Sequence, residues 1–331
     1  MEKTLTVIGL LVAMLGCQKE PSIGPISEQS DETLSIVGHR LIIGCEGNFQ
    51  YDNASITAYG IGSQEVAQQV YKAANDRPIG DILQSIVHRG GLIYVVMNNS
   101  GVVRILSDST YVEVGTIENL SSPRYLHFVD DHTLLVSDLS SSAVTVIHPE
   151  TQQHIGSIET GQWTEMMGTS DGITYVAGMK DSVLLGLDLV SLSVGFSIDL
   201  PMSPDRMLSK NDSLLVIGNA KKGAKMTWIR KNGDMEYVGL DHPVNGAALF
   251  GKFIYILSAE RINVYDLMLH KVGGWRHEAI TPYALFVDSS GIYIADVKDY
   301  ISSGEVLYYG HHQNLMDRIP CGYIPQAMLS L

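Results

Sequence analysis

The sequence predicts an all-β protein, a seven-bladed β-propeller closed by its C-terminal strand. A short apolar run that follows a proline, or in one place a threonine, recurs every 39 to 45 residues. The anchoring residues are Pro78, Pro123, Thr164, Pro204, Pro243, Pro282 and Pro325. A repeat of about 40 to 45 residues that holds four short strands is typical of a propeller blade.

The second repeat shows the four strands most clearly. Apolar and β-branched segments cover residues 82–88, 92–97, 102–106 and 111–117, and the turns between them contain Gly90-Gly91 and Asn98–Gly101. Alternating side chains favour strands, and Gly and Asn favour the tight turns that join them. The same order of strands and turns follows in the later repeats, up to residue 319.

The two ends of the repeat region complement each other. Residues 34–71 hold segments that resemble the second, third and fourth strands of a blade, whereas 324–329 resemble a lone first strand. We therefore predict that the C-terminal strand completes blade one. Such closure removes the sheet edges that would otherwise be open to aggregation.

The first residues predict export and lipid modification. Lys3 precedes an apolar stretch at 5–15 that is too short to span a bilayer, and Gly16-Cys17 follows it. We interpret 1–16 as a lipoprotein signal peptide, 17–32 as a flexible tether that begins at lipidated Cys17, and 33–331 as the propeller. The alternative is an ordinary signal peptide that happens to contain a cysteine.

Charge and motifs limit the function classes. The chain has 22 basic and 36 acidic residues, a net charge of −14, which argues against nucleic acid and against electrostatic attachment to anionic lipid. The sequence carries no His-Glu-x-x-His motif, phosphate-binding glycine loop or calcium loop. His311 and His312 are adjacent and would face opposite sides of a strand. We expect no metal, no cofactor and no enzymatic activity.

Two cysteines belong to the predicted propeller. Cys45 ends a second strand and Cys321 precedes the closing first strand, so both should lie near the same face. Two cysteines do not make a typical zinc site. A disulfide and a pair of buried free thiols are both compatible with these positions.

The predicted ligand site is the mouth of the central channel, where the loops that enter the first strands meet the turns between second and third strands. Fixed polar groups beside aromatic surface there suit a large polar ligand with many amide edges. Some candidates are residue types that turns require anyway, but the arginines and aromatic residues are not. The candidates are Asn48, Phe49, Arg77, Asp81, Asn98, Arg124, Tyr125, Trp163, Glu165, Arg206, Asn245, Tyr283 and Gln326.

Several strings resemble a known family. They are Glu46-Gly47-Asn48-Phe49 with Asn53-Ala54-Ser55-Ile56, residues 74–81 with Gln84-Ser85, Asn98–Gly101 and Ser122–Tyr125. They are similar to strings of the YncE-like β-propeller lipoproteins of Bacteroidetes, whose best-understood branch binds vitamin B12 at the cell surface beside a TonB-dependent transporter. The matching strings lie in the first three blades, and blades four to seven carry none.

The resemblance implies a protein anchored by lipid to the outer membrane and exposed at the cell surface. It would capture a corrinoid at the channel mouth and deliver it to a TonB-dependent outer-membrane transporter. Two alternatives stay open: a surface lipoprotein for a ferric siderophore or haem, and a scaffold that docks proteins without a small ligand. A trianionic catecholate complex would favour clustered Arg and Lys. A metal-dependent lactonase-like enzyme would need acids and asparagines on the channel axis, and the sequence displays no such set.

Overall fold

The described part of the chain forms seven antiparallel sheets of four strands each. The structure is a computed structural model that describes residue 36 and residues 38–210, 212–230 and 233–331. The predicted signal peptide, tether and lipidated Cys17 lie outside the described residues. The seven sheets confirm the prediction of a seven-bladed propeller.

Blades one to four contain the first fifteen strands. This part of the chain contributes three strands to blade one: β1 (Arg40–Cys45), β2 (Ser55–Gly60) and β3 (Val66–Ala67). Helix α1 (Val70–Asn75) follows, and blade two is formed by β4 (Leu83–Arg89), β5 (Leu92–Met97), β6 (Val102–Ser107) and β7 (Glu113–Ile117). Blade three is formed by β8 (Pro123–Phe128), β9 (Leu134–Asp138), β10 (Ala143–His148) and β11 (Gln153–Glu159). Blade four is formed by β12 (Thr164–Ser170), β13 (Ile173–Gly178), β14 (Val183–Asp188) and β15 (Ser193–Asp199).

Blades five to seven and the closing strand follow in the same order. Blade five is formed by β16 (Pro204–Lys210), β17 (Ser213–Ala220), β18 (Gly223–Ile229) and β19 (Met235–Leu240). Blade six is formed by β20 (Gly246–Phe250), β21 (Phe253–Leu257), β22 (Arg261–Asp266) and β23 (Lys271–Arg276). Blade seven is formed by β24 (Pro282–Val287), β25 (Ile292–Asp296), β26 (Glu305–Tyr309) and β27 (Leu315–Pro320), and β28 (Pro325–Ser330) ends the chain.

The closing strand completes blade one, as predicted. The strand order of that sheet is β28-β1-β2-β3, with Leu41 opposite Ser330 and Ile43 opposite Met328. Each first strand also contacts the first strand of the next blade, from β4 through to β24, and β28 contacts both β24 and β4. The seven first strands therefore form a closed ring around the channel.

The core consists of apolar layers between neighbouring blades. Alternate side chains of β1 enter different layers: Ile42 packs with residues of blade two, and Leu41 and Ile43 pack with residues of blade seven. A second strand therefore has both faces buried. This explains why the second strands are nearly continuous apolar runs, whereas the outermost strands are largely exposed.

Blade one departs from the predicted plan at its outer edge. Its fourth strand, β3, has only two residues, and the chain then turns into α1, a helix that the sequence did not predict. Val70 and Tyr71 of α1 are buried against blade one. A helix of six residues is too short for apolar periodicity to reveal. Within the described residues, no helix has the length and apolar character needed to cross a membrane.

Cys45 and Cys321 lie together in the layer between blades one and seven. Both are free thiols in the structure, and their exposed fractions are 0% and 1%. A hydrogen bond with Cys45, together with burial, raises the pKa of the Cys321 thiol. The sequence was compatible with a disulfide or with a pair of free thiols, and the structure shows free thiols.

We expect both thiols to be inert in the folded protein. Both thiols are buried, so a reagent in solution cannot reach them, and the raised pKa of the Cys321 thiol keeps that group in the unreactive protonated form. With a chain that starts after Cys17, Ellman's reagent should detect no thiol in native buffer and two thiols per chain in guanidinium without reductant. Absence of thiols in guanidinium would mean that the pair is a disulfide.

Candidate ligand site at the channel mouth

Irregular pairing marks the channel mouth in six of the seven blades. The register between first and second strands shifts just after the first strand begins, in every blade except blade six. The residues left without a direct partner are Gln326, Gln84, Arg124, Tyr125, Glu165, Met166, Asp205 and Tyr283. A bulge redirects the side chain of the extra residue and is frequent beside functional sites. The bulges therefore present a ring of mostly polar side chains at one end of the channel.

Arg124 joins three blades. Its Nε lies 2.9 Å from both carboxylate oxygens of Glu165, and its guanidinium also donates to Gln84 Oε1. Glu165 is 4% exposed and Gln84 is 8% exposed. A guanidinium that is held by a buried carboxylate and an amide has a fixed orientation.

Tyr283 joins blades seven and one on the opposite side of the mouth. Its hydroxyl donates to Glu46 Oε1 at 3.0 Å, and its ring stands edge-on to Tyr300 at a centroid distance of 6.0 Å. Asn48 Nδ2 donates to the carbonyl of Tyr300 at 3.1 Å. The two loops at 46–49 and 297–303 are thus tied together beside the mouth.

Amide and guanidinium donors join two further pairs of blades, one and two, and five and six. Gln326 Nε2 donates to the carbonyls of Leu83 and Gln84, each at 2.8 Å. Arg206 donates to the carbonyl of Asn245 at 2.6 Å, and its Nε lies 3.6 Å from a carboxylate oxygen of Asp205. We call this set the mouth cluster: Glu46, Gln84, Arg124, Tyr125, Glu165, Asp205, Arg206, Tyr283 and Gln326.

The mouth cluster is nearly balanced in charge. It holds the guanidiniums of Arg124 and Arg206 and three carboxylates. Burial raises the pKa of Glu165 against the opposing effect of Arg124. Burial likewise raises the pKa of Glu46 against the hydrogen bond from Tyr283. Burial also raises the pKa values of Tyr125 and Tyr283, so both hydroxyls stay protonated at neutral pH and can donate.

Three predicted site residues, Arg77, Asp81 and Asn98, do not belong to the mouth cluster. Arg77 is half exposed and pairs with Glu113 on the outer strand β7 at 2.8 Å, away from the mouth cluster. Asp81 accepts hydrogen bonds from the Gln50 backbone at 2.7 Å and from an Asn99 amide at 2.6 Å.

Asn98, the third of these residues, donates to the Ser122 hydroxyl and to the Pro123 carbonyl, at 2.9 and 3.0 Å. Asp81 and Asn98 thus stabilise the turns around the mouth.

Two of the aromatic candidates, Phe49 and Trp163, lie in the loops of the mouth. Phe49 is 59% exposed in the loop after β1, and Trp163 is half-buried just before β12. Blade four, which begins after Trp163, is three blades from blade one and three from blade seven in a ring of seven. Trp163 therefore belongs to the side of the mouth opposite Phe49 and Tyr300.

Sequence reasoning missed Gln84, Asp205, Glu46 and Tyr300 as site residues. Pro78 lies before β4 and is not part of it. Leu83 is the first paired residue of the first strand of blade two, as Pro123 is in blade three. Taking Leu83 as the anchor of blade two would have placed Gln84 in the ring. Tyr300 lies in a turn that has no counterpart in the repeat pattern, so no sequence signal marks it.

Across residues 36, 38–210, 212–230 and 233–331, no group of three or more His, Cys, Asp or Glu side chains is placed to hold a metal ion. His311 Nε2 donates a hydrogen bond to the Asp288 carbonyl oxygen at 3.0 Å.

Solved structures with the same fold come from several bacteria. A quinoprotein alcohol dehydrogenase-like protein of Bacteroides thetaiotaomicron matches with a TM-score of 0.67 and 13% identity, over 87% of this chain and 77% of that one. A putative 6-phosphogluconolactonase of Bacteroides uniformis matches with a TM-score of 0.67 and 13% identity, over 88% and 99%. AztD of Citrobacter koseri matches with a TM-score of 0.61 and 11% identity, over 88% and 97%.

These similarities establish the propeller fold alone, because the identities are low. No protein-family model matches the chain, and no curated protein sequence matches it.

We expect Glu165→Gln to become increasingly favourable for stability as the pH rises. Burial raises the pKa of Glu165 in the folded protein above its value in the unfolded chain. The wild type therefore loses stability as the pH rises through the interval between these two pKa values, whereas the variant does not, because its amide does not ionise. Urea unfolding at several pH values from about 4 to 8 measures the difference in free energy between variant and wild type. Glu150→Gln, which removes an exposed carboxylate, controls for net charge. A difference that moves in favour of the wild type as the pH rises would show that pairing with Arg124 outweighs burial.

Proposed function

We propose that this protein is a non-enzymatic, lipid-anchored surface protein of the outer membrane that captures a corrinoid at the channel mouth. It would then deliver the corrinoid to a TonB-dependent outer-membrane transporter. The observation that carries the proposal is the mouth cluster, which offers fixed hydrogen-bonding groups from the blades around the channel with little net charge. Aromatic side chains surround it.

The chemistry of a corrinoid fits such a surface. Its periphery carries amide side chains, which can pair with the amides, carboxylates and hydroxyls of the mouth cluster. Its macrocycle is broad and apolar on its faces, and aromatic rings provide matching surface. A ligand that spans the mouth would contact Trp163 on one side and Phe49 and Tyr300 on the other.

The arginines argue against a trianionic siderophore. Arg124 is paired with Glu165 at 2.9 Å, Arg77 with Glu113 at 2.8 Å, and Arg206 lies 3.6 Å from Asp205. A catecholate complex would have to displace these carboxylates or meet their repulsion. The paired arginines therefore favour a ligand that is close to neutral.

The resemblance of the first three blades to vitamin B12-binding propellers supports the same ligand. Its strings include Asn48 and Phe49, which adjoin the mouth, and Glu46, Gln84, Arg124 and Tyr125, which belong to the mouth cluster. Delivery to a transporter follows from that resemblance as part of the proposal.

Titration of the purified protein with cyanocobalamin tests the proposed ligand. We expect saturable binding at micromolar concentration, followed by calorimetry or by the visible absorbance of the corrinoid. Trp163→Ala and Tyr300→Ala should each weaken binding about tenfold, since each removes an aromatic contact from one side of the mouth.

Tyr237→Ala is the matched control, because Tyr237 is 63% exposed on the outer strand β19. It should bind as the wild type does. Absence of binding at micromolar cyanocobalamin would reject the corrinoid and favour haem, another ligand or a scaffold role. Binding that neither mouth variant weakens would reject the mouth as the site.

Lipid anchoring is tested separately. We expect the full-length protein to incorporate radiolabelled palmitate and to fractionate with the outer membrane, and Cys17→Ser to lose both properties. Cys45→Ser should leave labelling unchanged, which separates the two cysteines. Labelling that persists in Cys17→Ser would contradict the predicted anchor.

A further inference from the structure

Asp205 and Arg206 lie side by side at the channel mouth. The register between β16 and β17 shifts from Pro204 opposite Gly218 to Arg206 opposite Ile217, so Asp205 is the extra residue of a bulge. Successive side chains of a regular strand point to opposite faces, but a bulge redirects the extra one. The two side chains therefore meet, with Arg206 Nε 3.6 Å from Asp205 Oδ2.

Each of the two side chains is held by one neighbour and keeps a free hydrogen-bonding atom. Asn219 Nδ2 donates to Asp205 Oδ2 at 2.9 Å, whereas Asp205 Oδ1 accepts no hydrogen bond from the described residues. Arg206 Nη2 donates to the Asn245 carbonyl at 2.6 Å, whereas Arg206 Nη1 has no acceptor among the described residues. The side chains of Asp205 and Arg206 are 41% and 33% exposed, so a ligand at the mouth can reach them.

A primary amide matches this pair of groups. Its N–H donates and its carbonyl oxygen accepts, and both belong to one planar group. Asp205 can accept from the amide N–H while Arg206 donates to the amide carbonyl oxygen. A carboxylate has only acceptor oxygens, so it could pair with Arg206 but would be repelled by the charge of Asp205.

The charges around the pair act in the same direction. The mouth cluster has three carboxylates, those of Glu46, Glu165 and Asp205, against two guanidiniums. Glu165 is 2.9 Å from Arg124 and already pairs with it. Burial is the main cause that raises the pKa of Glu165, and the charge of Asp205 raises it further, which places Asp205 within electrostatic reach of the cluster. A ligand carboxylate at this position would therefore meet more negative than positive charge.

We propose that Asp205 and Arg206 together recognise a primary amide of the ligand, and that Asp205 excludes ligands with a carboxylate at that position. The inference rests on the proposed corrinoid, whose periphery carries such amides. Asp205 is then a specificity-determining residue: it accepts from the ligand amide and repels the corresponding acid. A site that selects by one attractive and one repulsive contact discriminates between ligands of nearly identical shape.

Calorimetric titrations with cyanocobalamin and with its b-, d- and e-monocarboxylic acids test the assignment near neutral pH. In each acid a propionate, which is ionised at this pH, replaces one propionamide of the corrin ring. We expect the wild type to bind at least one acid about tenfold more weakly than cyanocobalamin. Asp205→Asn keeps the shape and an acceptor for Asn219 but removes the charge, so this difference should fall to about threefold or less.

Asp181→Asn is the matched control. Asp181 is an exposed carboxylate in the turn between β13 and β14, at the mouth end of blade four, and it is outside the mouth cluster. This variant should discriminate between amide and acid as the wild type does.

The outcomes separate this inference from the corrinoid proposal. If the wild type binds cyanocobalamin and all three acids equally, the amide-recognition inference is wrong and the corrinoid proposal stands. A difference that Asp205→Asn leaves unchanged would likewise overturn the role of Asp205. Absence of cyanocobalamin binding would reject the corrinoid proposal and this inference with it.

Discussion

The pairing of β28 with β1 is the constraint on which the rest of the structure depends. It joins the last strand of the chain to the first described one and closes the ring of seven inner strands. Without it, β1 would expose its inner edge, and blades seven and two would lack their neighbour at the channel. The buried pair Cys45 and Cys321 lies at this junction, next to the start of β28.

Closure also creates the candidate site. Each first strand begins at the channel mouth, and the register shifts there direct side chains away from the regular ladder. Gln84, Arg124 and Glu165 come from three successive blades, yet they form one hydrogen-bonded group. A side chain on one blade is thus oriented by its neighbours, so the candidate site depends on the closed ring.

Blade one is the place where repetition stops. Its first strand comes from the end of the chain, its fourth strand has two residues, and α1 replaces the remainder. A cavity of about 310 Å³ beside β2 results from this irregularity. Regular blades bury the outer side of the third strand against a full fourth strand, whereas blade one leaves part of that side to α1 and the cavity.

Sequence by itself determined the number of blades and the closure of the ring, and it predicted the end of the molecule at which a ligand site should lie. These follow from spacing and from apolar strands that are buried on both faces, which are local properties. It also named Arg124, Tyr125, Glu165, Tyr283 and Gln326, because turns do not require such residues or because they adjoin a repeat anchor.

Only the tertiary structure decided which of these residues meet. Pairing across blades brings Gln84 and Glu46 into the mouth cluster and places Arg77 with Glu113 at an outer strand. Residues 40 or more positions apart become hydrogen-bond partners through strand register and bulges, as Arg124 and Glu165 do. A one-residue change of register redirects a side chain, and periodicity does not resolve that difference.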